Sequence, residues 1–118
     1  MQQAVDSIAL SLPGTVAVFV ADSETGLLEM ADQQSASEQN EAVAAYYAQV
    51  MRLQRRALEA TGVGQQKMQN MVFQSSRHYH ALYPVEGNRF LCVVVDQRQT
   101  NLAMLWRLLA TYAPQLQG

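Results

Sequence analysis

The sequence predicts an α/β fold, a three-layer α/β/α sandwich built on a five-stranded antiparallel sheet. Five separate stretches rich in β-branched and aromatic residues are bounded by turn residues, as strands are. Between the second and third of them lies a long stretch without Gly or Pro, as a long helix requires. The chain has 118 residues, 49% of them hydrophobic, which is the size and apolar content of one domain. We therefore assign residues 1–118 to a single domain.

Charge and apolar patterning exclude several classes of function. The chain has 8 Lys and Arg against 10 Asp and Glu, a net charge of -2, which leaves no basic surface for nucleic acid. Apolar runs such as Val16 to Ala21 are too short to span a membrane, and the N-terminal residues lack the basic segment of a secretory signal. The single cysteine, Cys92, has apolar neighbours. We therefore expect a cytoplasmic protein with a buried structural thiol.

The first half of the chain predicts a helix and a β-hairpin. Apolar residues with helical spacing predict a short helix that Pro13-Gly14 ends: Val5, Ile8, Ala9 and Leu12. The almost continuously apolar stretch Thr15 to Asp22 predicts a central strand covered on both faces. Turn residues Ser23 to Gly26 then lead to a returning strand at Leu27 to Asp32.

One long helix follows. Ser35 and Glu38 have the spacing of a capping box, helix-favouring sequence continues to Thr61, and Gly62 ends it. Acidic residues lie in the first turns and arginines further along, which suits the helix dipole.

Three further strands and a helix complete the order of helix, two strands, long helix, three strands, helix. The strands are predicted at Lys67 to Gln74, His78 to Val85 and Arg89 to Asp96. Thr100 or Asn101 is expected to cap the last helix, which continues until Pro114.

The pairing of the last two strands decides which residues share a face of the sheet. A two-residue turn at Gly87-Asn88 places Glu86 opposite Arg89 and Tyr83 opposite Cys92, so that His78 and His80 lie on the face away from the thiol. A slip of one residue would instead bring His80 and Cys92 to one face. An ion pair between Glu86 and Arg89 favours the first register.

The sequence predicts no catalytic residue, no cofactor and no metal. His78 and His80 are spaced to share a metal ion, but a third ligand is not evident. A thiol buried among apolar residues has a raised pKa and makes a poor nucleophile. Gly62-Val63-Gly64 lacks the lysine and hydroxyl residue of a phosphate-binding loop.

Both ends of the chain resemble the roadblock / dynein light chain family. The segments are PGTVAVFVADSETG and RFLCVVVDQRQTNLAMLWRLL, with Pro13-Gly14 before the first strand, the hairpin Asp22 to Gly26 and the helix start Asn101-Leu102. Ala103-Met104 departs from the family, which usually has Gly two residues after the Leu. The resemblance implies a sheet of order 2-1-5-4-3, the first and last helices on one face and the long helix on the other. It also implies a homodimer and a non-enzymatic role as a partner or regulator of NTPases, namely dynein motors or small Ras-like GTPases.

A homodimer interface is predicted on the long helix and the third strand. Eight apolar residues of the helix fill an arc of about 160°, whereas packing on one sheet needs about 100°. They are Val43, Tyr46, Tyr47, Val50, Met51, Leu53, Ala57 and Leu58. The third strand, an edge strand by the resemblance, carries little that would prevent pairing with another chain. The predicted interface residues are Tyr47, Val50, Met51, Met68, Met71 and Phe73.

A second surface is predicted on the polar arc of the same helix. Arginine is frequent at interfaces and makes planar, multi-donor contacts, so this arc suits an acidic partner surface, although it also fits an ordinary solvated helix face. The predicted partner-binding residues are Gln49, Arg52, Arg55, Arg56 and Glu59.

The function predicted from these features is a non-catalytic homodimeric regulator or scaffold that binds a small Ras-like GTPase or another NTPase. Two alternatives remain open. One is an adaptor subunit of the same fold with no GTPase partner. The other is a PAS-like sensor of a small ligand, in which several short helices and a cavity would replace the long helix.

Overall fold

The computed structural model describes residues 2–62 and 69–116. Its helices and strands follow in the predicted order. They are α1 (Gln2–Ser11), β1 (Thr15–Asp22), β2 (Leu28–Ala31), α2 (Glu38–Ala60), β3 (Met71–Gln74), β4 (His78–Pro84), β5 (Arg89–Asp96) and α3 (Leu102–Tyr112), followed by the short 3-10 helix Ala113–Leu116. Lys67 and Met68, which the sequence assigned to the third strand, lie outside the described residues.

The five strands form one antiparallel sheet of order β2-β1-β5-β4-β3, the order that the family resemblance implies. On one face, α1 and α3 bury a core with residues of β1, β4 and β5. On the other face, α2 buries a second core against the alternate residues of the same strands. Because successive side chains point to opposite faces, the central strands β1 and β5 are buried on both. The predicted three-layer sandwich is thus confirmed.

The loop between β4 and β5 has three residues rather than the predicted two. Val85, not Glu86, lies opposite Arg89, and the Val85 N–H donates to the Arg89 carbonyl at 3.0 Å. Within the loop, Gly87 has a φ of 71°, a left-handed conformation that glycine adopts without strain. The Arg89 Nε donates to the backbone carbonyl of Glu86.

This longer loop shifts the predicted register by one residue. Leu82, rather than Tyr83, pairs with Cys92, and His80 pairs with Val94. A shift of one residue moves a side chain to the other face of the sheet. The prediction that separated the histidines from the thiol was therefore wrong, and His80 and Cys92 both lie on the α2 face.

The helix α2 is unbroken, as predicted, but it begins later than the capping box indicated. Ser37 is its N-cap, and its Oγ accepts a hydrogen bond from the Asn40 N–H at 3.1 Å. Ser35 is buried instead: its hydroxyl accepts from the Val18 N–H at 2.9 Å and donates to the Asp32 carboxylate. A single helix of 23 residues also differs from the several short helices that a PAS-like sensor would have.

We expect these two serines to contribute unequally to stability. Ser37→Ala removes an exposed helix cap, which costs about 1 kcal/mol. Ser35→Ala leaves the buried Val18 N–H without its acceptor, and an unsatisfied buried donor costs about 1–3 kcal/mol. Denaturant unfolding should therefore show the larger loss of unfolding free energy for Ser35→Ala. An equal or larger loss for Ser37→Ala would contradict this assignment of the cap.

The start of α3 is fastened to the turn before β1. The Asn101 side-chain oxygen caps α3 by accepting from the Met104 N–H at 2.7 Å, and the Thr100 hydroxyl donates to the Pro13 carbonyl. Gly14 has a φ of 76°, and a Cβ there would lie 2.9 Å from the Gln99 Cβ. The predicted Pro-Gly segment is therefore needed both for its backbone conformation and for its close packing.

Candidate partner-binding surface

The apolar arc of α2 is not centred on the sheet that the helix covers. The buried residues of α2 are Ala44, Ala48 and Met51. On a helical wheel, with a rotation of about 100° per residue, these three side chains point about 100° away from the middle of the apolar arc. Larger apolar side chains are left outside the core, and Tyr46 and Leu53 are 69% and 61% exposed. The chain's own sheet therefore covers one side of the arc and leaves the opposite side exposed.

The two flanks of α2 differ in chemistry. The flank toward β3, which we call the edge side, is apolar and half-buried and consists of Val43, Tyr47, Val50 and Leu58. The flank toward the β1–β2 turn, which we call the hairpin side, is polar and consists of Gln49, Arg52, Arg55 and Arg56.

An aromatic cluster joins the edge side of α2 to β3 and β4. The rings of Tyr47 and Phe73 meet edge to face with centroids 5.5 Å apart, and Phe73 stacks on His80 at 4.8 Å. The Tyr47 hydroxyl hydrogen-bonds to Nδ1 of His80 at 2.9 Å, and the Ser75 hydroxyl to Nε2 at 2.9 Å. Burial raises the pKa of Tyr47 to about 12. Burial, and secondarily the neighbouring His78, lowers the pKa of His80.

The lowered pKa of His80 predicts a loss of stability in mild acid. The unfolded chain takes up a proton on this histidine near pH 6.5, before the folded chain does, so stability falls as pH decreases from there through the folded pKa. Thermal unfolding should show a lower Tm at pH 5 than at pH 7, and His80→Asn should reduce the difference. His78→Asn, on the same strand, removes only the smaller cause of the lowered His80 pKa and should reduce the difference less than His80→Asn does.

Carboxylates are not expected to account for the same pH window. The backbone N–H of Thr25 lowers the pKa of Asp22, and the guanidinium of Arg98 lowers that of Asp96. Such groups lose their stabilising effect as the pH falls from about 4, the pKa of an unfolded aspartate, through the lower folded pKa, which is below the window from pH 7 to pH 5. A drop between pH 7 and pH 5 that is unchanged in His80→Asn would contradict the role of His80.

The outer edge of β3 presents unpaired backbone groups. The Ser75 N–H donates to the His78 carbonyl at 3.0 Å, so Ser75 and His78 are a hydrogen-bonded pair. Hydrogen-bonded pairs alternate with non-hydrogen-bonded pairs in an antiparallel ladder, so the next hydrogen-bonded pair along β3 and β4 is Phe73 with His80. The N–H and C=O groups of Val72 therefore point away from β4, as do those of Gln74. No other strand of the described residues lies beside this edge.

The opposite edge of the sheet is protected. The carbonyl of Ala31 in β2 accepts a hydrogen bond from the side-chain amide of Gln2 at 2.8 Å. Glu29 is exposed on the same strand, and a charge on an edge strand discourages pairing with another chain. Of the two edges, β3 is the one suited to a second chain.

The predicted interface residues divide into three groups. Tyr47, Val50 and Met71 are half-buried along the edge side and β3, and Phe73 is 37% exposed. Met51 is only 5% exposed, because it packs in the core beneath α2, so its own chain already occupies it. Met68 lies outside the described residues.

The predicted arginine cluster is also divided by the fold. Arg52 donates from Nη1 to the carbonyl of Ser23. Arg55 donates from Nη2 to the Ser23 hydroxyl at 2.8 Å and forms a 3.2 Å ion pair with Glu24. These two arginines hold the β1–β2 turn against α2, a role that the sequence did not indicate. Gln49, Arg56 and Glu59 are exposed.

The sequence did not predict that several hydrogen bonds from distant parts of the chain meet at Ser23. This side chain is buried, its N–H and its hydroxyl both donate to the Asn88 carbonyl at 2.7 Å, and two arginines reach it from α2. A serine in a turn gives no local signal of such a role. Helical spacing placed Tyr46 and Leu53 on the apolar arc, but it could not show whether they are buried. Their exposure in the structure shows that they lie on the outer surface of α2.

Cys92 does not offer catalytic chemistry where the structure places it. Its side chain is buried opposite Phe19 and Leu82, and burial raises the pKa of the thiol. Within residues 2–62 and 69–116, no three His, Cys, Asp or Glu side chains are grouped as a metal site would need. The helices described there are also not long and apolar enough to cross a membrane.

Comparisons with known proteins support one family. The family model described as Roadblock/LC7 domain matches residues 1–95. A Roadblock/LC7 domain from Streptomyces avermitilis is similar in structure, with a TM-score of 0.86, 16% sequence identity, and coverage of 98% of this chain and 92% of that one. MglB from Myxococcus xanthus has a TM-score of 0.85 at 16% identity, covering 98% and 90%. The gliding protein MglB from Thermus thermophilus has a TM-score of 0.79 at 13% identity, covering 97% and 83%. No curated protein matches the sequence.

Proposed function

Because the chain belongs to the Roadblock/LC7 domain family, we propose that it is a homodimeric, non-catalytic regulator or scaffold that binds a small Ras-like GTPase or another NTPase. We place it in the cytoplasm, in keeping with its single buried cysteine. Its action would be positional: the two α2 helices of the dimer form a surface that holds the partner in one of its conformations. Such a surface shifts the partner only by the difference in its affinity for the two conformations.

The observation that carries the homodimer is the combination of a surplus apolar flank and an open strand edge on the same side of the molecule. Tyr47 of the edge side contacts Phe73 of β3, so the flank and the edge are continuous. In a symmetric dimer, the outward groups of Val72 and Gln74 would pair with those of the second chain. Val50 and its neighbours on α2 would then pack beside the second α2.

Two observations support a GTPase partner: the family to which the chain belongs, and the apolar side chains of α2 that such a dimer would leave exposed. Tyr46 and Leu53 are exposed on the outer surface of α2. Aromatic residues are enriched at interfaces, and two α2 helices side by side would double this surface. The family resemblance supplies the class of partner, small Ras-like GTPases or other NTPases.

Two measurements test the proposal. Light scattering during gel filtration at micromolar concentration should give the mass of a dimer, and a monomer would contradict it. Biolayer interferometry should then show binding of a purified Ras-like GTPase from the source organism, with a clear preference for either its GDP-bound or its GTP-analogue-bound form. Equal binding of both forms would indicate an adaptor without a nucleotide-dependent role, and binding of neither form would contradict the GTPase partner.

A further inference from the structure

A shallow groove on the hairpin side of α2 contains two arginines that have no carboxylate partner among the described residues. The groove has a volume of about 320 Å³ and is lined by Gln49, Arg52, Leu53 and Arg56. These residues are spaced three and four apart, so they form one stripe along the helix. The stripe lies away from the edge side, where we propose that the second chain binds.

The charges of these two arginines are not balanced within the described chain. Neither Arg52 nor Arg56 has an Asp or Glu oxygen within 4.0 Å among the residues that the structure describes, whereas Arg55 is paired with Glu24. Arg52 is half-buried, and its described hydrogen bond is from Nη1 to the neutral carbonyl of Ser23. A guanidinium has five N–H donors, and the bond to Ser23 engages one of those on Arg52.

The contact with Ser23 also fixes where Arg52 lies. Ser23 is itself held by the Asn88 carbonyl, so the turn that anchors Arg52 is tied to the β4–β5 loop. Holding the side chain in place before binding reduces the entropy that is lost when a partner orders it. The groove is therefore partly organised before any ligand arrives.

The groove also has an apolar wall. Leu53 is 61% exposed and lies next to Arg52 and one turn before Arg56. A ligand that suits this arrangement combines a carboxylate with an apolar side chain, as a segment of a folded protein does. Nucleic acid fits less well, because it requires a wider basic surface and the chain has a net charge of -2.

We infer that this groove binds an acidic segment of a protein partner, with a carboxylate between Arg52 and Arg56 and a neighbouring apolar side chain on Leu53. The inference rests on the proposed function for the class of partner, but it assigns a specific contact outside the homodimer interface. A carboxylate can accept hydrogen bonds from both guanidiniums, and such charge-assisted bonds are stronger than neutral ones. Gln49 contributes a side-chain amide at one end of the groove.

A peptide titration tests the groove directly. The probe is a short peptide with the core Glu-Leu-Asp, acetylated at its N-terminus and amidated at its C-terminus, added at millimolar concentration to the 15N-labelled full chain and followed by NMR. The amides of the α2 segment around Gln49 to Arg56 and the Nε–H signals of Arg52 and Arg56 should shift. A peptide with the core Gln-Leu-Asn should bind at least about tenfold more weakly, since it lacks the charges. Equal shifts with both peptides, or shifts confined to other faces, would overturn the inference.

A variant with reversed charge in the groove is the second test of this binding site. Arg56→Glu should weaken binding of the acidic peptide by about tenfold or more, while the dimer mass and the Tm stay unchanged. The matched control is Arg107→Glu, which makes the same change of charge at an exposed position of α3 on the opposite layer. If both variants weaken binding equally, only the net charge matters and the groove is not the site.

The same variants separate this inference from the proposed function. If the Ras-like GTPase binds the natural chain and Arg56→Glu equally well, the groove does not contact the partner, while the proposed function stands. If no GTPase binds but the peptide shifts the groove signals and Arg56→Glu abolishes them, the groove binds acidic segments and the GTPase assignment is wrong.

Discussion

Replacing Val72 with proline should convert the dimer into a monomer without unfolding the chain. The Val72 N–H points away from β4, so its loss removes no hydrogen bond within the chain, which is why proline is tolerated at such positions of edge strands. In the proposed dimer, that N–H and the carbonyl beside it pair with the second chain. We expect the dissociation constant of the dimer to rise by at least about 100-fold, equivalent to about 2.7 kcal/mol, as measured by analytical ultracentrifugation.

The control for this experiment is Val72→Thr, which keeps the N–H and the β-branched shape of the side chain. It should remain a dimer. Far-ultraviolet circular dichroism and the Tm of the proline variant show whether β3 still pairs with β4. A well-folded Val72→Pro chain that remains fully dimeric would exclude pairing through this edge, and the surplus apolar flank of α2 would then need another explanation.

Cys92 should be almost inert toward a thiol reagent while the chain is folded. The thiol is buried and its pKa is raised, so the reagent reaches it only when the sheet opens. Core regions open with free energies close to that of global unfolding, so a stability of about 5 kcal/mol or more slows the reaction at least about 1,000-fold. Ellman's reagent, with absorbance followed at pH 8, measures the rate in the folded chain and in guanidinium chloride.

An exposed thiol on the same scaffold calibrates this result. Ala42 lies on the exposed side of α2, and Ala42→Cys combined with Cys92→Ala should react at the rate of the unfolded chain. If Cys92 reacted as quickly as this control, the thiol would be accessible. Because the observed register puts it on the same face as His80, a Cys-His pair would then have to be reconsidered as a catalytic group.

The order of the elements could be predicted from the sequence because it depends on local patterns. The β-rich stretches and the absence of Gly or Pro between Ser35 and Thr61 were sufficient to predict five strands and one unbroken helix. The width of the apolar arc likewise predicted that α2 has more apolar surface than one sheet covers, and the exposure of Tyr46 and Leu53 agrees with it.

Finer details were mispredicted where two local arrangements compete. A two-residue and a three-residue loop around Gly87 both satisfy the local turn preferences, and an expected ion pair between Glu86 and Arg89 favoured the wrong one. Ser35 and Ser37 are both able to cap a helix. The choice between them depends on the buried Val18 N–H, which takes Ser35 as its acceptor.

The fold class, the order of helices and strands and the apolar flank of α2 are predictable from the sequence, since each follows from the periodicity of neighbouring residues. The roles of the arginines depend instead on packing between distant segments: Arg52 and Arg55 hold the β1–β2 turn, and Arg52 and Arg56 line a groove. The reason is distance along the chain: Arg55 and Ser23 are 32 residues apart, and only the packing of α2 beside β1 brings them together.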